Sequence, residues 1–371
     1  MLTLAVLSAV IWVYLIFGHG RFWQAGPVLT PCMPLSRPGV TVVVPARDEA
    51  ASIDRTLRSL LAQDYPGPFR VILVDDQSTD ATADIARRIG DPRLTVVAGA
   101  ARPAGWSGKL WAVFQGIAAA GAADFIFLTD ADIVHQSAHL STLVARAERD
   151  DLDLVSEMVE LACVSWAECA LVPAFVFFFQ LLYPFTWVND SLHPTAAAAG
   201  GTILVRNRAL RRIGGIEAVR GALIDDVTLA KAVKQGGRIW LGHSALAKSI
   251  RPYPTAGDIW RMIARTAYVQ LRYSPLLLLV TTIGMVVTWL VPPYAALFGS
   301  GIVFWLGLIA WALSAWSYGP TLRRFGRSAA WAAALPAIAV FYMAATIGSA
   351  VNHYRGKGVA WKGRAYQGTG A

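Results

Sequence analysis

All 24 acidic residues of this 371-residue chain fall between Asp48 and Asp258. Basic residues follow that window, among them Arg323, Arg324, Arg327, Arg355, Lys357, Lys362 and Arg364. The partition limits what the chain can fold into. A central block carries both signs of charge and can face water. The flanks are apolar and basic, as expected of segments in a bilayer with anionic headgroups. Hydrophobic residues make up 55% of the chain and charged residues only 15%, below the roughly 25% usual for soluble domains. The net charge of +9 does not point to nucleic acid, because the basic residues flank apolar runs and are not interleaved with aromatics on a polar face. Cys32, Cys163 and Cys169 have no metal-type spacing and no disulfide framework; they read as small buried apolar residues.

In the flanks, residues 2–17 (LTLAVLSAVIWVYLIF) are uncharged and just long enough to be an uncleaved spanning anchor. His19 and Arg21 follow it, so the positive-inside rule puts residue 20 onward in the cytoplasm. Three further spans are expected at about 276–298, 301–319 and 329–351, with Arg323, Arg324 and Arg327 in a cytoplasmic loop. The basic tail within 352–371 then falls outside. Either the last segment, with Pro336, is re-entrant or the rule fails there. Residues 166–188 are nearly uncharged but hold Pro173 and Pro184, and read as a helix lying at the membrane interface.

Between the flanks, residues 40–275 alternate apolar runs with helical patterns, which predicts βαβ units and a mostly parallel, doubly wound α/β sheet. Val40–Val44, Val71–Val74, Leu94–Val97 and Phe125–Leu128 read as strands; 50–63 and 108–120 read as helices. In such a sheet, ligand chemistry sits at the carboxyl ends of strands. Asp130-Ala131-Asp132 follows one strand, and two carboxylates at i and i+2 on a bend can grip one hard divalent cation, Mg²⁺ or Mn²⁺. Pro45, Arg47 and Glu49 follow the first strand, with hydrogen-bonding groups for a base and ribose. Asp76 follows the second and is a ligand candidate, while Ser78, Thr79 and Asp80 read as an N-cap. Lys109, at a helix start, could meet a diphosphate. Asp225 and Asp226 open another helical pattern and could supply a general base or merely cap it. Arg261 and Arg265 share a helix face and could bind a leaving diphosphate or anchor the membrane edge. His193 and His243 stand alone and read as structural.

The ordered set VPARDE, VDDQSTD, TDAD and IDD, followed by membrane-proximal arginines, resembles the family 2 inverting glycosyltransferases with the GT-A fold over about residues 40–275. The flanking spans are similar to those of the ceramide glucosyltransferase group. The segments Val172–Gln180, Thr195–Gly201, Leu271–Ser274 and Val359–Tyr366 resemble the hopanoid-biosynthesis-associated glycosyltransferases. The resemblance implies a GT-A catalytic domain with one amino-terminal and about three carboxyl-terminal transmembrane helices. It implies transfer of a sugar from a UDP-sugar to a hydroxyl of a membrane lipid, a hopanoid, in the cytoplasmic membrane. A polyprenyl-phosphate or ceramide-type acceptor, a processive polysaccharide synthase and a non-catalytic membrane scaffold are the alternatives. By position, Asp76 would contact uridine, with Pro45 to Glu49 shaping its pocket. Asp130 and Asp132 would hold metal and diphosphate. Asp226 would be the base, with Asp225 in the preceding place. The family's Q/R-x-x-R-W motif is not intact: Arg261 to Arg265 has one residue too many, and Thr266 stands where Trp would be. Arg265, then Arg261, are the nearest matches.

Overall fold

The structure is a computed structural model describing residues 1–356, 360–361 and 364–365. Most of the tail at 352–371, including half of the segment Val359–Tyr366, lies outside the described residues. The chain forms two compact units. One comprises Pro27–Ala162 and Trp187–Pro252; the other comprises Met1–Gly26, Cys163–Thr186 and the helices from Tyr253 onward.

The first unit is built on a sheet of eight strands: β1 (Val40–Ala46), β2 (Phe69–Asp75), β3 (Leu94–Ala98), β4 (Phe125–Leu128), β5 (Ile133–His135), β6 (Leu154–Glu160), β7 (Ile203–Arg206) and β8 (Ile239–Ser249). Their order is β3-β2-β1-β4-β7-β6-β8-β5. The β-branched runs expected as strands are strands. β1 is buried at every position, as a central strand covered on both faces must be. On one face Leu57 and Leu60 of the helix Ile53–Leu61, and Leu143 of the helix His139–Arg149, join Val42, Val44, Leu73 and Phe127 in one core. On the other face lies the helix Gly108–Ala118. A Cβ at Gly116 would fall 2.4 Å from Val43, so only glycine lets this helix lie so close to β1.

The expected parallel layout holds for β1 to β4, which pair in parallel in the order β3-β2-β1-β4. It fails beyond them. β7 runs antiparallel to both β4 and β6, and β5 runs antiparallel to β8, so the sheet is mixed. No crossover helix within this unit joins β6 to β7. The chain leaves at residue 162 and returns at 187, so β7 runs back beside β6. The parallel half has the consequence that matters: Ala46 pairs with Asp75, and Val43 pairs with Leu128. The carboxyl ends of β1 and β2 are level, β4 stops three residues short of them, and the loops beyond gather at one edge.

The second unit is helical. Among the described residues, three segments are long and apolar enough to cross a membrane: Pro275–Phe298, Ile302–Arg324 and Ala329–Tyr354, with mean hydropathies of 2.0, 1.5 and 1.8. The amino-terminal helix Leu2–Phe17 has 16 residues, about 24 Å of rise against a hydrocarbon core of about 30 Å. It covers the residues expected of the anchor but falls short of that span. It packs within its unit instead: buried Trp12 donates its indole N–H to Thr288 O at 2.8 Å and meets the Trp289 ring edge-on. The helix Trp166–Leu182 starts with a Ser165–Glu168 capping box and runs unbroken through Pro173, while Pro184 falls beyond its end. All three cysteines are half-buried rather than buried.

Candidate active site

The loops after β1 and β2 are stitched to each other. The Asp48 N–H donates to Ser78 Oγ at 3.0 Å, and the Thr79 N–H donates to Asp48 Oδ1 at 2.7 Å. The Glu49 N–H donates to Thr82 Oγ1, and the Ala50 N–H to Asp80 Oδ2. Asp48 and Gln77 hold left-handed backbone, at φ of 50° and 57°, a conformation that costs free energy and persists only where surroundings over-determine it. This corrects the N-cap expectation. Ala81 holds the N-cap place of the helix Thr82–Arg88 without a side-chain cap, Asp80 accepts from the Thr82 N–H at 3.0 Å, and Ser78 and Thr79 tie the loops together. Asp76 is wholly buried, with Arg47 Nη1 donating to its backbone carbonyl at 2.6 Å and lying 4.0 Å from its carboxylate. The neighbouring Asp75 keeps partial exposure.

Beside these loops lies an open pocket of about 340 Å³, whose walls include Pro45, Lys109, Asp130, Gly200, Asp225 and Asp226. Lys109 comes from the first turn of the helix Gly108–Ala118, which Ser107 caps. Its Nζ is 2.8 Å from Asp130 Oδ1 and 3.4 Å from Asp225 Oδ2. Burial alone would lower the Lys109 pKa, but Asp130, Asp225 and Asp226 outweigh it and hold the ammonium protonated. Asp130 is pushed up by burial and by Asp132 and Asp225, against the opposing pull of Lys109.

Asp225 and Asp226 open the helix Asp225–Lys234. Asp226 Oδ1 accepts from the Val227 N–H at 2.8 Å, and Oδ2 accepts from the Gly200 N–H at 2.9 Å. Burial and the adjacent Asp225 raise its pKa to about 7, although Lys109 and the two N–H donors act the other way. A Cβ at Gly200 would lie 3.2 Å from Lys109 Nζ and 3.5 Å from Asp226 Oδ2, so the bare backbone lets both groups close over it.

Asp132 faces a partner not expected from the sequence. Arg251, two residues past β8, donates from Nε to Asp132 Oδ2 at 2.5 Å and from Nη2 to Glu49 Oε1 at 2.6 Å. These carboxylates raise its pKa despite its burial. Arg251 and Gly200 are the residues that sequence reasoning missed. The fold brings Glu49, Lys109, Asp130, Asp132, Asp225 and Asp226 to one edge of the sheet. Arg261 and Arg265 belong to the helical unit, on and just after the helix Ala256–Ala264, where Arg261 pairs with Asp258 at 2.6 Å.

Five carboxylates (Glu49, Asp130, Asp132, Asp225 and Asp226) thus face two cations, Lys109 and Arg251. Such a site can take up further positive charge, and a carboxyl poised near neutrality can accept a proton.

Residues 1–369 match the profile of glycosyl transferase family 21, where the motifs alone suggested family 2. The chain is 30% identical over 128 residues to a 4,4'-diaponeurosporenoate glycosyltransferase of Staphylococcus aureus strain N315. That match covers 34% of this chain and 33% of the relative, so the chain spans about a third of the length of the curated relatives it matches. A second relative of that description, from the bovine strain RF122 / ET3-1, is 37% identical over 94 residues, covering 25% of this chain and 24% of the relative. The mannosyltransferase PcManGT from Pyrobaculum calidifontis, solved in complex with GDP-Man and Mn²⁺, has a similar fold. Its TM-score is 0.55 at 21% identity, covering 95% of this chain and 99% of that one.

Proposed function

This chain belongs to glycosyl transferase family 21, and from that premise we propose that it transfers a sugar from a UDP-sugar to a hydroxyl of a membrane lipid, with inversion at the anomeric carbon. The observation that carries the reading is the carboxylate cluster at one edge of the sheet, with one member, Asp226, raised to about 7. The three long apolar helices support a membrane location. The relatives named as 4,4'-diaponeurosporenoate glycosyltransferases support a lipid acceptor. The acceptor proposed here is a hopanoid, and the sheet unit is assigned to the cytoplasmic side.

In this mechanism Asp226 is the general base. With its pKa raised to about 7 it is poised to take up a proton near neutral pH, the condition in which a base combines availability with driving force. Its two backbone N–H bonds fix the carboxylate so that it can take the proton of an acceptor hydroxyl entering the pocket. Asp225 is assigned to keep Asp226 basic. Lys109 is a diphosphate ligand, a protonated ammonium at a helix amino terminus. Pro45, Arg47, Glu49 and Asp76 form the nucleotide side. Asp76 shapes the loop from within, since its side chain is wholly buried. Of the membrane-proximal arginines, Arg265 and then Arg261 are assigned to the leaving diphosphate.

A divalent ion fits the donor set. The carboxylates outnumber the cations, and Asp130 and Asp132 are hard oxygen ligands, suited to Mg²⁺ or Mn²⁺. No group of three or more His, Cys, Asp or Glu side chains suited to a metal occurs among the described residues. The protein would therefore supply two carboxylates, and diphosphate and water the rest. When bound, the ion neutralises charge developing on the leaving diphosphate. Arg251 orients Asp132 by occupying one of its oxygens.

The test uses the full chain in lipid nanodiscs with Mn²⁺, a panel of UDP-sugars and GDP-mannose, and a hopanoid, a ceramide and a polyprenyl phosphate as acceptors. Mass spectrometry should show a single-sugar hopanoid made from a UDP-sugar, with the anomeric configuration inverted. Transfer from GDP-mannose alone refutes the donor assignment, and a polymeric product refutes single transfer.

A further inference from the structure

Behind the carboxylate loop lies a polar chain that the proposed reaction does not use. Thr129 Oγ1 donates to Gly201 O at 2.8 Å and lies 3.2 Å from His135 Nε2. His135 Nδ1 is 2.8 Å from His139 Nδ1, and the two rings stack with centroids 5.0 Å apart. His139 Nε2 is 2.7 Å from Glu157 Oε2, to which Ser244 Oγ also donates at 3.1 Å. None of these five side chains belongs to a residue more than 4% exposed, and Phe127 meets both imidazoles edge-on.

Counting hydrogens decides how the chain is protonated. The Thr129 hydroxyl has one hydrogen and gives it to Gly201 O, so His135 Nε2 must be the donor to Thr129. One hydrogen lies between the facing Nδ1 atoms, and another between His139 Nε2 and Glu157. Two neutral imidazoles carry two hydrogens between them, and these contacts need three. Burial and the neighbouring His139 hold His135 well below the ordinary imidazole range, so its ring is neutral. His135 therefore keeps its hydrogen on Nε2 and offers a bare Nδ1. His139 carries one of the other two on Nδ1, and the last lies between its Nε2 and Glu157 Oε2, so the His139–Glu157 pair holds two hydrogens. The pair is then neutral overall, the condition under which it is tolerated where water is absent.

We propose that His135, His139 and Glu157 are positioning residues: together they hold one proton that locks the Thr129 hydroxyl between His135 and Gly201 and so fixes the Asp130-Ala131-Asp132 loop against Gly200. One hydroxyl thereby joins the two backbone segments that carry a pocket carboxylate and the bare approach to Lys109 and Asp226. The functional half of this inference rests on the reading of Asp130 and Asp132 as the donor-binding pair. The proton count does not.

Nitrogen NMR of full-length protein labelled at histidine, in nanodiscs at neutral pH, reads the count directly. His139 should show a protonated Nδ1 and His135 a protonated Nε2 with a bare Nδ1, and carbon labelling of the glutamates should place the last hydrogen on His139 Nε2 or on Glu157. Glu157→Gln keeps an acceptor but removes the ionisable carboxyl, and should leave His139 with a hydrogen on Nδ1 alone. A singly protonated His139 beside an ionised Glu157 in the unaltered protein overturns the proposal, with no transfer assay involved. For the functional half, Thr129→Val should lower kcat about tenfold, the usual cost of losing a partner behind a ligand, with donor KM little changed. Thr129→Ser should restore it. An unchanged kcat in Thr129→Val overturns the positioning role while leaving the glycosyltransferase reading intact.

Discussion

Removing the charge of Asp225 without touching Asp226 tests how the site sets its base. Asp226 titrates near 7 because burial and Asp225 raise it more than Lys109 and two backbone N–H groups lower it. Transfer should therefore climb with pH through about 7, as the carboxyl loses its proton and becomes a base. Asp225 Oδ2 lies 3.4 Å from Lys109 Nζ, and both Lys109 Nζ and Asp226 Oδ2 lie within 3.5 Å of one point above Gly200. At a carboxylate separation of about 6 Å and an effective dielectric of about 40, the repulsion is about 1.4 kcal/mol. That is about one pH unit. In Asp225→Asn the freed Lys109 also turns more fully to Asp226, which acts in the same direction. The acidic limb of kcat should move down by about one pH unit. The assay is the initial rate across the pH range at saturating donor and acceptor, with the metal concentration held constant. A limb that stays in place or moves up refutes the electrostatic argument. Loss of transfer at every pH, with nucleotide binding retained, would make Asp225 the base instead.

Three further outcomes follow from the same geometry. Asp226→Asn should lower transfer about 1,000-fold and yet raise Tm at alkaline pH. Between the ordinary carboxylate range and about 7, the folded chain holds a proton that the unfolded chain has released, so stability falls as pH rises through that window. The Asn variant escapes this loss, and thermal unfolding on both sides of the window should show its advantage only on the alkaline side. Gly200→Ala places a methyl 3.2 Å from Lys109 Nζ and 3.5 Å from Asp226 Oδ2. It should reduce kcat about tenfold with little change in Tm, and full activity would show that the two groups can part. Arg251→Met leaves the nearly buried carboxylates of Glu49 and Asp132 without their cation. It should cost about 3 kcal/mol in unfolding, and an unchanged denaturation midpoint would contradict this.

The legible half of the fold was the half whose strands are buried on both faces. Val40–Val44, broken only by Thr41, and Phe125–Leu128 are apolar runs because helices cover both sides of a parallel sheet, and such runs stand out. β7 is only four residues long and antiparallel, with no crossover helix to announce it. In the site, the Asp130 and Asp226 clusters were visible because their residues are adjacent in the chain. Arg251 was not: its partners Asp132 and Glu49 lie 119 and 202 residues away, and a lone arginine before a proline carries no local pattern. Ser78 and Thr79 misled for a related reason. The residue types that cap helices also bond to other polar groups nearby: here Ser78 accepts from the Asp48 N–H of the neighbouring loop, and Thr79 donates to the Asp48 carboxylate. The amino-terminal segment was apolar enough for an anchor, but its helix stops at Phe17.

The alternation of the chain between its two units sets an order of synthesis. A ribosome that has made β1 to β6 has not made a finished sheet, because β7 and β8 still follow the excursion at Cys163–Thr186. β5 is left waiting for β8, its one partner in the sheet, until more than a hundred residues later. Asp226 and Arg251 arrive on that same late stretch. The nascent protein therefore carries Asp130 and Asp132 before it carries the base and the arginine that complete their surroundings, and the excursion has to be accommodated before the sheet can close. A truncation after residue 162 would yield a fragment with an open edge at β4 and an unneutralised Asp132. An isolated sheet unit has to carry both Pro27–Ala162 and Trp187–Pro252.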